Sequence, residues 1–314
     1  MPTLILVTGA TGFVGRALLP RLAEAGLEMR CLIRPARRTP RLPKRIPVQV
    51  SIASLSDERG LRAALVGVDT VIHLAGAEWR GQQGDVFAVD AAGTRALVEA
   101  AKDAGVGRII YLSHLGADRA SAYPVLKAKG IAEEFIRQSG IPYTIVRSAL
   151  LYGEEDVFVN VVAMMLRLVP GFFFMPGDGK VSLQPLWVED LVTCLEWSLS
   201  DLTALNQTLA LGGPEFITFE QMVQAVMEVT DVRRVIVSVR PPYLRAGAWL
   251  LEQMLPRSPL TTRWLDYLAI SRTCELTSVT RYFGLKPARF VSTLDYLRQK
   301  KWLAEMGRLV WGTS

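Results

Sequence analysis

The chain has 314 residues and half of them are hydrophobic, enough for a sizeable core in one large domain or two smaller ones. Three scattered cysteines, Cys31, Cys194 and Cys274, suit a reducing compartment and form no Cys-x-x-Cys, and with only two histidines a structural zinc or histidine-rich metal site is excluded. The net charge of +6 is concentrated between Arg30 and Arg45, where seven basic residues (Arg30, Arg34, Arg37, Arg38, Arg41, Lys44 and Arg45) stand with no acid, so the rest of the chain is close to neutral. Pro35, Pro40, Pro43 and Pro47 make that stretch a loop, and it lacks the aromatic side chains that stack on bases, so nucleic acid is not an expected partner. No internal repeat or signal peptide is apparent, and the expected location is cytoplasmic.

In chain order the first expected strand is 4–8. It runs into Gly9, Gly12 and Gly15, and a helix over 13–25 follows, closed by Gly26. Strands are expected at 28–33, 48–50, 70–74, 108–113 and 142–147. Helices are expected at 57–66, 86–104 and 124–138. Apolar strands alternating with helices predict an α/β, Rossmann-type doubly wound parallel sheet with helices on both faces. Beyond Gly153 the pattern changes. Helices are expected at 157–168, 188–199, 219–229, 244–255, 262–269 and 291–303, with strands near 181–185 and 208–211. This predicts an NADP(H)-binding domain over 1–153 and a smaller, mainly helical substrate or docking domain over 154–314. The segment 181–212 is expected to return to the first domain.

The glycine spacing carries the first chemical expectation. Gly9 permits the tight turn, Gly12 lets a pyrophosphate approach the backbone, and Gly15 lets the helix pack close to the strand. The phosphates would meet free N–H groups of Thr11, Gly12, Phe13 and Val14 at the helix N-terminus. In such sheets ligands bind at the carboxyl ends of strands, which here carry Gly9, Arg34, Leu74-Ala75-Gly76, Ser113 and Ser148. An NAD site usually places an acid after strand two. This chain reads Ile33-Arg34-Pro35-Ala36-Arg37-Arg38, so a 2′-phosphate, and hence NADP(H), is expected on Arg34 and Arg38 or Arg37.

Tyr123 and Lys127 stand four apart at the start of a helix, after a strand ending in Ser113. Together with the glycine turn, His73-Leu74-Ala75-Gly76, Gly93-Thr94, Arg147 and Tyr152-Gly153, they resemble the short-chain dehydrogenase/reductase superfamily. The resemblance covers essentially the whole chain and is nearest to the extended and atypical, epimerase/dehydratase-type members. It implies that Tyr123 is the acid/base at a substrate carbonyl or alcohol. Lys127 would lower its pKa and hold the nicotinamide ribose, and Ser113 would bind the substrate oxygen. A phenol needs a nearby cation to act near neutral pH. By strand alternation His114 would point away and be structural. His73 would pack beside the cofactor, and Glu133-Glu134 would form a solvated face.

The chain departs from the sugar-nucleotide branches. Ser113-His114-Leu115-Gly116 lacks the dehydratases' acidic pair, and the stretch around Tyr152-Gly153 lacks the epimerases' Asn and Pro. Ser51-Ile52 replaces an Asp that relatives place near the adenine. Residues 121–160, Gly212-Gly213-Pro214-Glu215 and Phe283-Gly284 are instead similar to the NADPH-binding accessory subunit of respiratory complex I and its bacterial relatives. Two readings follow. One is an oxidoreductase moving hydride to or from a small or apolar carbonyl or alcohol. The other is a non-catalytic NADPH-bound accessory subunit or assembly factor. A regulator that senses NADP(H) is a third. The apolar stretches 157–165, 166–175 and 243–255 fall short of the roughly twenty residues of a membrane span. They fit either a core with a greasy pocket or a peripheral contact with a membrane, a membrane complex or a lipid-like substrate.

Overall fold

The computed structural model describes residues 4–36, 42–79, 84–255, 258 and 260–311. Strands β1 (Leu4–Thr8), β2 (Glu28–Ile33), β3 (Gln49–Ile52), β4 (Thr70–His73), β5 (Arg108–His114) and β6 (Tyr143–Ser148) alternate with helices α1 (Phe13–Glu24), α2 (Glu58–Leu65), α3 (Gly93–Asp103) and α4 (Pro124–Gln138). Every residue of β1 and β4 is buried, so both strands are covered on both faces, as a covered parallel sheet requires. Short β7 (Leu151–Tyr152) leads to α5 (Phe158–Leu168), β8 (Phe172–Pro176), β9 (Ser182–Leu183), β10 (Leu186–Trp187) and α6 (Val188–Ser198). Then come β11 (Gln207–Leu211), β12 (Ile217–Thr218), α7 (Phe219–Val229), β13 (Val235–Val239), α8 (Pro241–Met254), α9 (Thr262–Tyr267), α10 (Ser278–Phe283), a 3₁₀ stretch (Val291–Leu297) and α11 (Trp302–Trp311).

The main sheet has the order β11-β6-β5-β4-β1-β2-β3, and every pairing in it is parallel. It is a Rossmann-type α/β sheet. The strand order reverses between β1 and β4, and the crevice at their carboxyl ends is where such sheets bind ligands. Within 181–212, only β11 joins the sheet, beside β6, while α6 adds Leu191, Val192 and Leu195 to the core beneath α1. The expected strand at 181–185 is instead β9, paired antiparallel with β12, because Gln184 turns inward to bond Gly213 O and Cys274 N.

A separate apolar core lies in the C-terminal half. Phe158 of α5 stacks on Trp264 of α9 at 4.9 Å between centroids, and Phe219 of α7 meets both rings edge-on. Trp264 is buried to 1 % exposure. Trp264→Ala is expected to lower unfolding stability by about 3–5 kcal/mol, measured by urea denaturation, because the cavity cannot collapse between two rigid rings.

Candidate functional site

The glycine turn is built by close approach. Gly9 has a φ of 73°, and a Cβ there would lie 2.7 Å from the backbone of Leu74 and Ala75. A Cβ on Gly15 would lie 2.4 Å from Gly9 O. Helix α1 starts at Gly12 with no side-chain cap and no acid in its first turn, so its opening amides remain available to an anion.

A one-way relay of hydrogen bonds holds the turn against β4. Ala75 N–H donates to Thr8 Oγ1, which meets His73 Nδ1 at 2.6 Å; His73 Nε2 meets Thr94 Oγ1 at 2.9 Å; and Thr94 donates to Asp90 O. Thr94's proton is committed to the carbonyl, so His73 donates from Nε2 and accepts at Nδ1. Burial, with the charge of Lys129 second, drives the His73 pKa down to about 3. His73 therefore organises the site as a neutral ring.

Asp90 faces inward because the chain over Phe87–Ala92 is a π-helix, a wider turn often found at functional sites. Its Oδ1 lies 3.0 Å from Lys129 Nζ, and both groups are buried. Lys129 also donates to Leu112 O and sits 5.0 Å from the Tyr111 ring centroid. Burial opposes its charge, but Tyr111 and Asp90 more than offset that and raise its pKa, so it is a permanent cation. A Cβ on Gly76 would press on Asp90 Oδ1 at 3.1 Å, which keeps that position bare.

The expected Tyr123 and Lys127 are not brought to this place. Tyr123 is the half-buried N-cap residue of α4 and Lys127 is exposed, and neither lines the cleft. Two residues along a helix turn a side chain by about 200°, so Lys129 points inward where Lys127 points out. Lys129 is in phase with the buried Leu126, Ala132, Glu133 and Ile136. The residue four before it is Val125, packed beside Ala128, so no phenol occupies that step.

Strand β5 corrects a second expectation. Ser113 is fully buried and donates to Glu133 Oε1 at 2.7 Å, and the same carboxylate accepts from Arg147 at 2.6 Å and Arg137 at 2.7 Å. Glu133 is thus the anchor of a buried network rather than part of a solvated face. Alternation instead sends Leu112 and His114 into the cleft. His114 Nε2 lies 2.7 Å from Glu78 Oε2, both side chains nearly covered. Burial opposes the charged form of Glu78. The charge and hydrogen bond of His114, with Arg272 and Lys129 beyond, outweigh it and hold the carboxyl below its usual range. Among the described residues His114 Nδ1 has no hydrogen-bond partner.

These groups surround one cleft of about 400 Å³ at the β1/β4 crevice. Gly9, Gly12, Phe13, Val14, Gly15, Leu74 and Gly76 of the expected cofactor set line it. Thr11, Ala75, Ser148 and Arg34 lie outside its wall: Ala75 bonds Thr8, Ser148 donates to Ser113 O, and Arg34 is exposed just beyond β2. Arg38 and Arg37 lie outside the described residues. The far wall is apolar, with Trp79, Leu150, Phe158 and Tyr267, and Trp79 stacks on Tyr267 at 6.1 Å. Asp156, at the same wall, is pushed up to about 6 by burial while it caps α5 through Val159 N–H. Asp90, Lys129, Glu78 and His114 were missed from sequence. Only the helical phase of Lys129 offered a signal.

The bare glycine cradle, the uncapped helix end and the buried cation stand together at the switch point of a Rossmann-type sheet, the arrangement of a dinucleotide site. Residues 9–164 match a family described as NAD(P)H-binding. The chain therefore has the NAD(P)-binding, epimerase/dehydratase-like form of that fold. It is 29% identical over 229 residues to the mitochondrial NADH dehydrogenase (ubiquinone) 1 alpha subcomplex subunit 9 of Arabidopsis thaliana, a match covering 71% of this chain and 57% of that subunit. It is 28% identical over 321 residues to ceramide reductase of Caulobacter vibrioides, covering 95% of this chain and 96% of that enzyme. In fold it resembles UDP-glucose 4-epimerase of Thermotoga maritima, with a TM-score of 0.74 at 19% identity, covering 97% of this chain and 99% of the epimerase.

The relay through His73 makes acid stability a readout of the site. An unfolded histidine takes up a proton near pH 6.5, whereas folded His73 does so only near 3, so stability is full above 6.5 and falls as pH drops below it. Between pH 7.5 and 5.5 the wild type is expected to lose about 1.4 kcal/mol more than His73→Gln, measured by urea denaturation at both pH values.

Proposed function

We propose that this protein is an NADP(H)-dependent reductase of an apolar carbonyl compound. The observation that carries this reading is the His114–Glu78 pair, set among apolar side chains in the same cleft as the glycine cradle. The nucleotide, when bound, supplies hydride to the carbonyl carbon. His114, whose side chain lines the cleft, delivers the proton to the carbonyl oxygen, giving the alcohol, and recovers it from solvent. Glu78 holds Nε2–H and stabilises the imidazolium, as a carboxylate beside a histidine does elsewhere. Lys129, kept charged by Asp90, holds the ribose side of the nucleotide in place of the expected Lys127. Glycines 9, 12 and 15 admit the pyrophosphate, and Arg34 with no acid beside it favours a 2′-phosphate. Trp79, Phe158 and Tyr267 exclude water and select an apolar substrate.

A second reading rests on a specific residue. Val125, which has no titratable group, stands four residues before the buried Lys129, and one relative is named as a subunit of mitochondrial NADH dehydrogenase (ubiquinone). On that reading the cleft holds NADPH as a structural element and the domain over 154–314 serves as a docking body.

NADPH oxidation followed at 340 nm with a panel of apolar ketones and quinones separates the two. The reductase reading expects turnover that falls by about 10²–10⁴-fold in His114→Gln with NADPH affinity retained. Tight NADPH that no panel member oxidises would leave the accessory role. Arg34→Glu is expected to weaken NADPH binding by roughly tenfold or more while changing NADH binding little, measured by nucleotide fluorescence titration.

A further inference from the structure

Helix α8 is turned inside out. On a surface helix the apolar stripe faces the core. In α8, polar side chains turn toward α9: Arg245, itself exposed, pairs with Asp266, and Glu252 accepts from Thr262 N and Oγ1. Ala248 is its one buried residue, with Leu244 packed beside it on the second core. At about 100° per residue, the opposite side carries Tyr243, Leu250 and Met254, which are 70%, 53% and 71% exposed. Trp249, about 100° round the helix from Leu250, is 55% exposed, and the helix has no charged residue other than Arg245 and Glu252.

The neighbouring ribbon shows the same inversion. Alternation along β8 buries Phe173 and Met175 and turns Phe172 and Phe174 outward. The parallel register pairs Phe172 with Val235, which is itself 60% exposed. The ribbon ends where Gly177 N–H donates to Val239 O, one residue before α8 is capped by Arg240.

The charge of this region selects its occupant. Of the four arginines between Val232 and Leu251, Arg245 pairs with Asp266 and Arg234 bonds Val169 O, which leaves Arg233 and Arg240 for an outside partner. Arg233 and Arg240 are exposed. A second copy of the chain would bring these arginines against one another, whereas an anionic lipid surface complements them. Apolar side chains, a tyrosine and a tryptophan beside arginines are the make-up of a helix lying in a membrane interface. With 14 residues α8 is about 21 Å long, too short for a hydrocarbon core of about 30 Å. Among the described residues no helix is long and apolar enough to cross a membrane.

We propose that α8 and the outward face of the β8–β13 ribbon dock this protein peripherally on an anionic lipid bilayer. Asp266, which Arg245 grips, adjoins Tyr267 of the cleft wall, so the docked face lies one helix from the cleft.

The test is flotation of the full chain with vesicles of phosphatidylcholine alone and of phosphatidylcholine mixed with phosphatidylglycerol. The wild type is expected to float with the mixed vesicles. Leu250→Glu with Met254→Glu is expected to weaken that binding by roughly tenfold or more, with thermal melting unchanged because both side chains face outward. Arg233→Glu with Arg240→Glu is expected to abolish the preference for anionic lipid. Brominated lipid is expected to quench more emission from the wild type than from Trp249→Phe. Failure of the wild type to float, or equal flotation of the Leu250/Met254 variant, overturns the proposal. A dimer seen by light scattering and broken by that variant, without vesicle binding, also overturns it and assigns the face to a second copy. Flotation is read without nucleotide, so it fails or succeeds apart from the reductase reading.

Discussion

The buried ion pair between Lys129 and Asp90 is the constraint around which the rest of the site is arranged. Each charge loses its hydration, and neither is tolerable there without the other. Three elements must therefore converge: α4 and the π-helical turn before α3, whose charged groups are 3.0 Å apart, and β5, whose Leu112 carbonyl accepts from Lys129 at 3.2 Å. Gly76 must stay bare for the pair to fit. The rotation of α4 follows from the same requirement, and with it the outward position of Lys127 and the inward positions of Val125 and Glu133.

Fixing α4 in that rotation also redistributes the roles on β5. Glu133 comes beneath the strand and takes Ser113, Arg147 and Arg137, so the serine is consumed by a structural network. The opposite face is left to His114. There a carboxylate from the loop after β4 meets the imidazole, and the cleft gains a proton-bearing pair in the place where Val125 leaves no phenol. The neutral His73 relay ties the end of β4, beside the glycine turn, to the π-helical turn that carries Asp90.

The C-terminal half follows a different logic. Its core is aromatic and rigid, built on Phe158, Phe219 and Trp264, and it supplies the apolar wall of the cleft through Phe158 and Tyr267, against which Trp79 packs. On its far side the same half exposes apolar side chains on α8 and the β8–β13 ribbon, while Arg245 and Glu252 are bonded to α9. A surface that a helix would ordinarily bury is kept outward by ion pairing on the side that faces α9.

The strand–glycine–helix opening, the alternation of apolar strands and helices, and a strand at 208–211 were legible in the sequence. Each rests on a local period or a backbone demand that a few residues express by themselves. Gly9 and Gly15 are required by close backbone approach, and their spacing announces it. The missed side chains depend on relations the chain order hides. Lys127 and Lys129 are both lysines near a helix start, and only packing against β5 and Asp90 decides which one is buried. Ser113 and His114 are neighbours on a strand whose two faces are both covered, so hydrophobic alternation could not say which face meets the cleft. Glu78 reaches His114 across 36 residues, and the π-helix that aims Asp90 leaves no mark in composition. The sequence by itself determined the sheet and the nucleotide turn, because these follow from short-range periodicity. Only the tertiary structure decided which titratable groups share the cleft, because burial of a charge depends on the partner that folding brings to it.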